Sequence, residues 1–259
     1  MPSAKGVAFV TGAAQGIGRS IALRLAADGF DVAVNDITDK CELDTLVNEI
    51  KKKGRKSSKH TGDVSNDETV RNMIEAVVGQ HGRLSVMVAN AGIAGPYGKK
   101  LIEVSAKQFD QVMQVNTRSM FLCYKYAGLQ MIKQGCGGRI IGACSVAGKK
   151  GMQTQAVYSA SKFAVRGLTQ AAALELGEHG ITVNAYAPGA IDTPMLRGMA
   201  TTQKESDIEA MTEMFKQMSP LHMLGTPQDI AGLVSFLASE DSRFITGQTI
   251  SSNGGMFFD

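Results

Sequence analysis

The stretch of this chain that decides the fold is Val7-Ala8-Phe9-Val10-Thr11-Gly12-Ala13-Ala14-Gln15-Gly16-Ile17-Gly18. Its four apolar residues are typical of a buried strand, and helical periodicity follows from about Gly18 to Ala27. Glycines allow a tight turn close to a pyrophosphate, and the helix start offers free N–H groups. The spacing G-x-x-x-G-x-G is one residue longer than the usual dinucleotide fingerprint, and such turns also occur without ligands. Because strand, turn and helix come in the required order, we predict a cofactor turn that uses Gly12, Gln15, Gly16, Ile17 and Gly18.

Short apolar runs and helical stretches alternate along the rest of the chain. The runs that predict strands lie at 32–34, 84–89, 139–143, 182–187 and 249–251. Helical stretches lie at 43–50, 70–78, about 105–134 and about 156–178. This βαβα order implies a parallel sheet covered by helices on both faces. We therefore predict an α/β fold: one domain over residues 1–259, a doubly wound (Rossmann) parallel sheet of about seven strands.

The segment at about 194–226 interrupts this rhythm between the last two predicted strands. It is polar, rich in methionine and closed by Pro220 and Pro227. A long excursion over the strand ends of an α/β sheet is usually functional, so we predict a helical lid. Met211, Met214 and Met218 are helically spaced and fit equally the buried stripe of an amphipathic helix.

Composition excludes several classes of function. The formal net charge of +3 is too small to indicate nucleic-acid or membrane-surface binding, and the basic run at 51–56 is interpreted as a helix end. No apolar run reaches the roughly 18 residues of a membrane span, and no signal peptide is expected before the first strand. The 4 cysteines form no CxxC pair and the 4 histidines no HExxH motif. We expect a cytoplasmic protein without disulfides or metal.

Asp36 ends the second predicted strand, eighteen residues after Gly18. An acidic side chain at this place accepts hydrogen bonds from the adenosine ribose hydroxyls and repels a 2′-phosphate. The glycine turn holds no arginine or lysine, and Gln15 occupies its variable position. We therefore predict NAD(H) as the cofactor, with NADP(H) disfavoured. Alternatively, Asp36 starts a loop or caps the next helix.

Tyr158 and Lys162 lie four residues apart in a predicted helix and therefore share a face. A nearby ammonium favours the phenolate, which lowers the pKa of a tyrosine from about 10. Such a tyrosine can exchange a proton with an alcohol near neutral pH. Ser145 precedes Tyr158 by thirteen residues and is either a reacting group or a strand-end turn residue. With the glycine turn, these residues predict hydride chemistry on an alcohol or ketone.

With these motifs, the chain resembles a classical short-chain dehydrogenase/reductase over its whole length. The matching elements are Thr11 to Gly18, Asp63-Val64, Asn90-Ala91-Gly92, Asn116, Ser145, Tyr158-x-x-x-Lys162 and Pro188-Gly189. The resemblance implies that Tyr158 is the acid in carbonyl reduction and the base in alcohol oxidation. Lys162 would lower the pKa of Tyr158 and hold the nicotinamide ribose. Ser145 would donate a hydrogen bond to the substrate oxygen.

The resemblance implies further site residues. Asn116 would hold a water that links Lys162 to solvent, unless it merely marks a helix interruption. Asp63 would contact the adenine edge, Asn90 would fix adjacent strands, and Thr193 would contact the nicotinamide amide. The cofactor contacts expected outside the glycine turn are Asp36, Asp63, Val64, Asn90, Gly92, Tyr158, Lys162, Pro188, Gly189, Ile191 and Thr193.

On the substrate side, the stretches 143–145, 158–167 and 254–258 look most like the diacetyl/acetoin reductase and butanediol dehydrogenase group. That group usually carries polar residues at the positions held here by Val146 and Met152, and often a lid tryptophan, which this chain lacks. Because thioethers fill irregular apolar space, we predict a fairly apolar secondary alcohol or ketone. The expected substrate contacts are Ser145, Val146, Met152, Tyr158 and Met195. Lys149 and Lys150 either attract an anionic substrate or form a solvated loop pair.

Three other functions stay open. An acetoin/diacetyl reductase would follow the group resemblance. An NADPH-dependent 3-oxoacyl-type biosynthetic reductase would need a basic docking face and usually NADP, against which Asp36 argues. A non-catalytic NAD-sensing regulator would be expected to lose Tyr158 or Lys162, and both are present. The resemblance also implies a homotetramer. Phe257 and Phe258, near the end of the chain, would suit a contact between its subunits.

Overall fold

A computed structural model of the protein describes residues 4–38, 41–200 and 204–258. The strands are β1 (Val7–Val10), β2 (Asp31–Asp36), β3 (Ser57–Thr61), β4 (Val86–Ala89), β5 (Gly138–Ala143), β6 (Ile181–Pro188) and β7 (Thr249–Ser252). They form one parallel sheet in the order β3-β2-β1-β4-β5-β6-β7. The predicted seven-stranded doubly wound fold is confirmed. The extreme N-terminus, 39–40, 201–203 within the predicted lid, and residue 259 lie outside the described residues.

Helices cover both faces of the sheet. They are α1 (Gly16–Ala27), α2 (Cys41–Lys52), α3 (Asp67–His81), α4 (Ala106–Met113), α5 (Ser119–Gln134), α6 (Ala156–Leu176), α7 (Pro194–Arg197), α8 (Glu205–Gln217) and α9 (Pro227–Leu237). Helix α1 packs against α9, while α5 packs against α3 and α6. A π-helical turn at Gln114–Arg118 joins α4 to α5. The central strands β1, β4 and β6 are buried throughout, as expected for a parallel sheet covered on both faces.

Strand order reverses between β1 and β4, since the chain leaves β1 for β2 and β3 on one side and continues with β4 on the other. Hydrogen bonds tie the two carboxyl ends together: Thr11 N donates to Val88 O at 3.1 Å, and Asn90 N donates to Thr11 Oγ1 at 3.0 Å. In open parallel sheets, ligands bind in the crevice at such a switch point.

The strand that the apolar pattern did not predict is β3. Its residues are Ser57, Ser58, Lys59, His60 and Thr61, of which only His60 is buried. This strand pairs with β2 alone and lies at the sheet edge, so it has little apolar surface to bury. The sequence pattern also left out α9, which lies between the predicted lid and β7.

The predicted lid contains α7 and α8. In α8, Met214 and Met218 are 48% and 47% exposed, whereas Phe215 is the buried side chain. The alternative that Met211, Met214 and Met218 form a buried stripe is therefore wrong, since Met211 is only half-buried and Met218, directly after α8, is exposed like Met214. Their helical spacing is correct, but α8 turns an aromatic ring inward instead of the thioethers.

His60 joins the edge strand to the core. Its ring packs edge-on against Phe9 with 5.7 Å between ring centroids. Ser58 Oγ lies 2.8 Å from Nε2 of His60 and 2.8 Å from Nε2 of His81. Burial, reinforced by the neighbouring His81, lowers the pKa of His60 to about 4. The folded protein thus keeps this imidazole neutral at a pH where the unfolded chain protonates it.

We expect acid to destabilise the fold in part through His60. Between its ordinary pKa of 6.5 and about 4, the unfolded state binds the proton and the folded state does not, so stability falls as pH falls. The measurement is the urea midpoint at pH 7.5 and at pH 5. In His60→Gln, whose new side chain does not titrate, the urea midpoint should change less between the two pH values than it does in the wild type. An equal difference in both proteins would contradict this role.

Candidate active site

A cavity of about 480 Å³ opens at the carboxyl ends of the strands around the switch point. Every residue predicted from the sequence to contact cofactor or substrate lines it. Of the predicted catalytic residues, Ser145, Tyr158 and Lys162 line the cavity, whereas Asn116 lies behind its wall. The volume is in the range of small-molecule sites.

The glycine turn at one end of the cavity fits a pyrophosphate. Gly12 and Gly16 have φ of 62° and 56°, the left-handed region that favours glycine. A Cβ on Gly18 would overlap the Gly12 carbonyl oxygen and Asn90 Nδ2, so the turn has no room for a side chain there. Helix α1 starts without a side-chain cap from Gln15 and without an acidic residue in its first turn. Its first N–H groups and positive dipole end are thus suited to phosphate oxygens.

Asp36 lies at the end of β2, beside the glycine turn. Its Oδ2 accepts a hydrogen bond from Ala14 N at 3.1 Å, and its Oδ1 accepts one from Ile37 N at 2.8 Å. Asp63 lines the same part of the cavity, and its Oδ1 accepts from Ser65 N at 2.8 Å. Among the described residues that line the cavity, the one lysine or arginine is Lys162, at the other end. Among the described lining residues, the end of the cavity near Asp36 and Asp63 therefore carries carboxylates and no lysine or arginine.

Asn90 connects the glycine turn to the centre of the sheet. Its Nδ2 donates to Thr11 O at 2.8 Å and to Gly12 O at 3.1 Å, while its Oδ1 accepts from the Tyr186 hydroxyl at 2.7 Å. These bonds hold the turn against β4 and β6. Tyr186, which the sequence analysis did not single out, thus supports the turn from the opposite half of the sheet.

Ser145, Tyr158 and Lys162 converge at the other end of the cavity. Ser145 follows β5, and its Oγ accepts from Ala147 N at 3.1 Å. Tyr158 is in the first turn of α6, and its side chain is hydrogen-bonded to that of Ser145. Lys162, one turn further, is 3% exposed; its Nζ donates to Ala143 O at 2.8 Å and lies 5.6 Å from the Tyr158 ring centroid. Two hydroxyls and an ammonium therefore face one space.

The pKa values of this cluster differ from the sequence-based prediction. Burial raises the pKa of Tyr158 to about 12, and the hydrogen bond from Ser145 only partly opposes it. Burial lowers the pKa of Lys162 to about 8. The expectation that Lys162 makes the phenol more acidic than an ordinary tyrosine is therefore wrong for the cofactor-free protein. Loss of water around the phenolate is the largest cause of the shift, and Lys162, with a pKa of about 8, has lost its charge at the pH where Tyr158 titrates.

Asn116 sits in the π-helical turn between α4 and α5 and is fully buried. The helix interruption that the sequence analysis kept as an alternative is real, but the side chain also faces the site. A Cβ placed on Gly92 would lie 3.2 Å from Asn116 Oδ1 and 3.6 Å from Lys162 Nζ. Because Gly92 has no side chain, the asparagine oxygen and the ammonium border the same gap.

The chain after β6 brings the lid to the glycine turn. Thr193 caps α7, with its Oγ1 accepting from Leu196 N at 3.3 Å and donating to Ile191 O at 3.2 Å. A Cβ on Gly16 would lie 3.5 Å from Thr193 Cγ2. Pro188 and Gly189 line the cavity just before this segment. The residues predicted to receive the nicotinamide amide are therefore brought together.

Apolar side chains from four separate segments line the substrate end. Val146, Met152 and Met195, the predicted substrate contacts, line the cavity. The sequence analysis missed several lining residues, among them Gln111, Gln155, Leu196, Phe215 and Met256. Met256 reaches the cavity because the chain after β7 folds back onto Gly189, a contact that no local pattern signals. Lys149 donates from Nζ to Ser251 Oγ at 2.9 Å and, like Lys150, is not among the lining residues.

Two further features are absent from the described ranges, 4–38, 41–200 and 204–258. No cluster of three or more histidine, cysteine, aspartate or glutamate side chains could hold a metal ion there. Within those ranges no helix combines the length and the apolar character needed to cross a bilayer. Cys41, Cys123, Cys136 and Cys144 are all free thiols.

Known proteins resemble this chain over nearly its whole length. Residues 12–257 match a family model described as enoyl-(acyl carrier protein) reductase. A short-chain dehydrogenase/reductase of Armillaria gallica is 50% identical over 98% of this chain and 96% of its own. The 3-oxoacyl-(acyl-carrier-protein) reductase FabG of Staphylococcus epidermidis is 42% identical over 96% of this chain and 98% of its own.

Solved structures share both the fold and part of the sequence. Levodione reductase superposes with a TM-score of 0.92 and 31% identity, covering 98% of each chain. Acetoin dehydrogenase YohF of Salmonella typhimurium superposes with a TM-score of 0.85 and 34% identity, covering 97% of this chain and 96% of its own.

Proposed function

The chain belongs to the classical short-chain dehydrogenase/reductase family of oxidoreductases, and on that basis we propose that it transfers a hydride between NAD(H) and a fairly apolar secondary alcohol or ketone. One observation carries the proposal. The hydrogen-bonded side chains of Ser145 and Tyr158, with Lys162 behind them, face the cavity whose other end holds the glycine turn and Asp36. This arrangement supports proton transfer and dinucleotide binding in one space.

The chain's own residues handle the proton and the charge. NAD(H), when bound, supplies or accepts the hydride. In ketone reduction, Tyr158 gives its proton to the carbonyl oxygen, while Ser145 donates a hydrogen bond to the same oxygen and stabilises its growing charge. At neutral pH the phenol of Tyr158 carries its proton, as an acid in ketone reduction must. Lys162 then returns a proton to the phenolate, and Asn116 would hold a water in the gap beside Gly92.

Residues along the cavity would hold the cofactor. The first N–H groups of α1 would bind the pyrophosphate, and Asp36 the adenosine ribose. We assign the adenine and the rest of the adenosine to Asp63, Val64, Asn90 and Gly92. We assign the nicotinamide and its ribose to Tyr158, Lys162, Pro188, Gly189, Ile191 and Thr193. The absence of lysine and arginine among the described lining residues near Asp36 supports NAD(H) over NADP(H).

The apolar substrate end supports a substrate larger and less polar than a four-carbon diol. Met152, Met195, Met199 and Met256 supply thioethers from three segments, and Phe215 adds an aromatic ring. Similarity to acetoin dehydrogenase YohF favours acetoin or diacetyl as the second candidate. Similarity to FabG favours a 3-oxoacyl substrate as the third. The intact Ser145, Tyr158 and Lys162 argue against a non-catalytic NAD sensor.

The assembly and the location are part of the same proposal. Apolar side chains stand exposed on the long helices, where Phe121, Leu129 and Leu174 are 47%, 57% and 86% exposed. Phe258 is 79% exposed near the end of the chain. Covering these surfaces in a homotetramer of single-domain subunits spanning 1–259 would remove them from water. The free, exposed Cys41 and Cys136 fit a reducing compartment, and we place the enzyme in the cytoplasm.

The test is a substrate panel in which ketone reduction is followed by nicotinamide absorbance, with NADH and NADPH in parallel. With NADH, we expect kcat/KM for an eight- to ten-carbon apolar ketone to exceed that for acetoin at least about 10-fold, since each buried methylene adds binding. A preference for acetoin or diacetyl would favour the second candidate. Turnover of a 3-oxoacyl thioester with NADPH would favour the third. No turnover of any compound would contradict enzymatic function.

A further inference from the structure

The proposed chemistry uses Tyr158 and Lys162 but neither of the two serines between them. Ser159 Oγ accepts from Met152 N at 3.2 Å and so supports the loop that precedes α6. Ser161 is fully buried and faces the opposite way, toward the π-helical turn at Gln114–Arg118. Its hydroxyl therefore serves a different part of the site from that of Ser159.

Donor and acceptor roles can be assigned to the Ser161 hydroxyl in only one way. Its Oγ lies 2.7 Å from Tyr158 O, which can only accept, so the one hydroxyl hydrogen is committed there. The oxygen is then left to accept from Asn116 Nδ2 at 3.1 Å. The backbone adds a parallel link, since Thr117 Oγ1 donates to Ser161 O at 3.3 Å. The π-helical turn is thus docked on α6 one residue before Lys162.

The amide of Asn116 is held on three sides. Its Oδ1 accepts from Ile93 N at 2.8 Å, and its Nδ2 donates to Ile93 O at 2.9 Å. Ile93 therefore determines which amide atom is oxygen and which is nitrogen. The second Nδ2 hydrogen goes to Ser161, and one Oδ1 lone pair is left toward the gap beside Gly92 and Lys162.

We infer that Ser161 is a positioning residue, which holds the Asn116 amide at a set place beside Lys162 so that its free oxygen lone pair faces the lysine's proton. The inference rests on the proposed function. Ile93 orients the amide but belongs to the loop after β4, whereas Ser161 belongs to the helix that carries Lys162. Without the hydroxyl, the amide keeps its orientation but loses its link to that helix, and a buried N–H is left without an acceptor.

The test compares Ser161→Ala with the matched variant Thr169→Val. Thr169 is equally buried on α6, about two turns further along, and its Oγ1 makes the same kind of bond to its own helix, at 2.8 Å from Val165 O, but it does not contact Asn116. We expect Ser161→Ala to lower kcat about 10-fold, with little change in KM, because misplacement of a supporting group acts on the chemical step. Thr169→Val should keep kcat within about twofold.

Two further measurements separate positioning from loss of folding. The pH above which kcat for reduction falls should move lower in Ser161→Ala, because the Asn116 oxygen is displaced from the gap that it borders with Lys162 and no longer favours the protonated lysine. The acetylation rate of Lys162 in the cofactor-free protein, read by mass spectrometry against pH, should show the same displacement. In an Asn116→Ala background, Ser161→Ala should have no additional effect on kcat, since both act through one group.

Each outcome bears on the inference. An unchanged pH profile in Ser161→Ala, or losses of kcat that multiply with those of Asn116→Ala, would overturn it. A loss of kcat equal to that of Thr169→Val would also overturn it, since general helix packing would then explain both. These results require a wild type that reduces a ketone; if it reduces none, the proposed function fails instead. In that case, the acetylation rate of Lys162 still tests whether Ser161 holds the Asn116 amide beside this lysine.

Discussion

Replacing Tyr158 by phenylalanine is expected to lower kcat for ketone reduction by about 10³-fold or more while leaving cofactor binding intact. The variant keeps the ring that packs in the first turn of α6 and removes only the hydroxyl bonded to Ser145. Since no other described phenol lines the cavity apart from Tyr186, which is bonded to Asn90, no neighbour can replace the lost proton donor. The measurements are initial rates with NADH and the NADH dissociation constant by fluorescence.

Two controls make this result specific. Tyr126→Phe removes a phenol on α5 that donates to Asp67 Oδ2 at 2.6 Å, away from the cavity, and should leave kcat unchanged. Ser145→Ala should lower kcat by about 10²- to 10³-fold, the usual loss for one hydrogen-bond donor to a developing oxyanion. Turnover that persists in Tyr158→Phe would contradict the assignment of the acid. A loss of NADH binding in that variant would instead assign the phenol mainly to the cofactor.

The second large effect concerns the choice of cofactor. Replacing Asp36 by alanine together with Ile37 by arginine should shift the ratio of kcat/KM for NADH to that for NADPH toward NADPH by about 10²- to 10³-fold. The change removes a carboxylate that would repel the 2′-phosphate and adds a guanidinium that can pair with it, together worth roughly 3–4 kcal/mol. Ile37 is 61% exposed and lines the cavity, so an arginine fits there without entering the core.

Asp36→Asn separates charge from hydrogen bonding. Its amide oxygen can still accept a backbone N–H, as the carboxylate does from Ala14 at 3.1 Å, but the charge is gone. We expect a smaller shift of the same sign, measured as the same ratio of kcat/KM. If the wild type already prefers NADPH, or if neither variant changes the preference, Asp36 does not select the cofactor.

Much of the site could be predicted because short-range spacing carries it. A strand, a glycine turn and a helix in direct succession place N–H groups at one point whatever the rest of the chain does. Tyr158 and Lys162 share a helix face through their spacing alone. Asp36 needs only to end the strand beside that turn. For these residues the structure brings together the set that was predicted.

The features that the sequence did not predict depend on contacts between distant segments of the chain. The edge strand β3 is polar because one of its sides lacks a neighbouring strand, and an apolar pattern cannot signal it. Met256 and Tyr186 reach the site only through the way the sheet and the chain end are packed. The inward side of α8 is likewise set by what it packs against, which places Phe215 inside and Met214 outside.

The sequence by itself therefore determined the fold class, the glycine turn and the candidate reacting groups, since each follows from local periodicity and spacing. Only the tertiary structure decided the acidity of these groups and which distant side chains hold them in place. The pKa of Tyr158 is raised because the elements around it remove part of the water near its hydroxyl, an effect that spacing cannot report. Asn116 and Ser161 meet across forty-five positions because two helices pack there. Burial and long-range contact are properties of the folded chain as a whole.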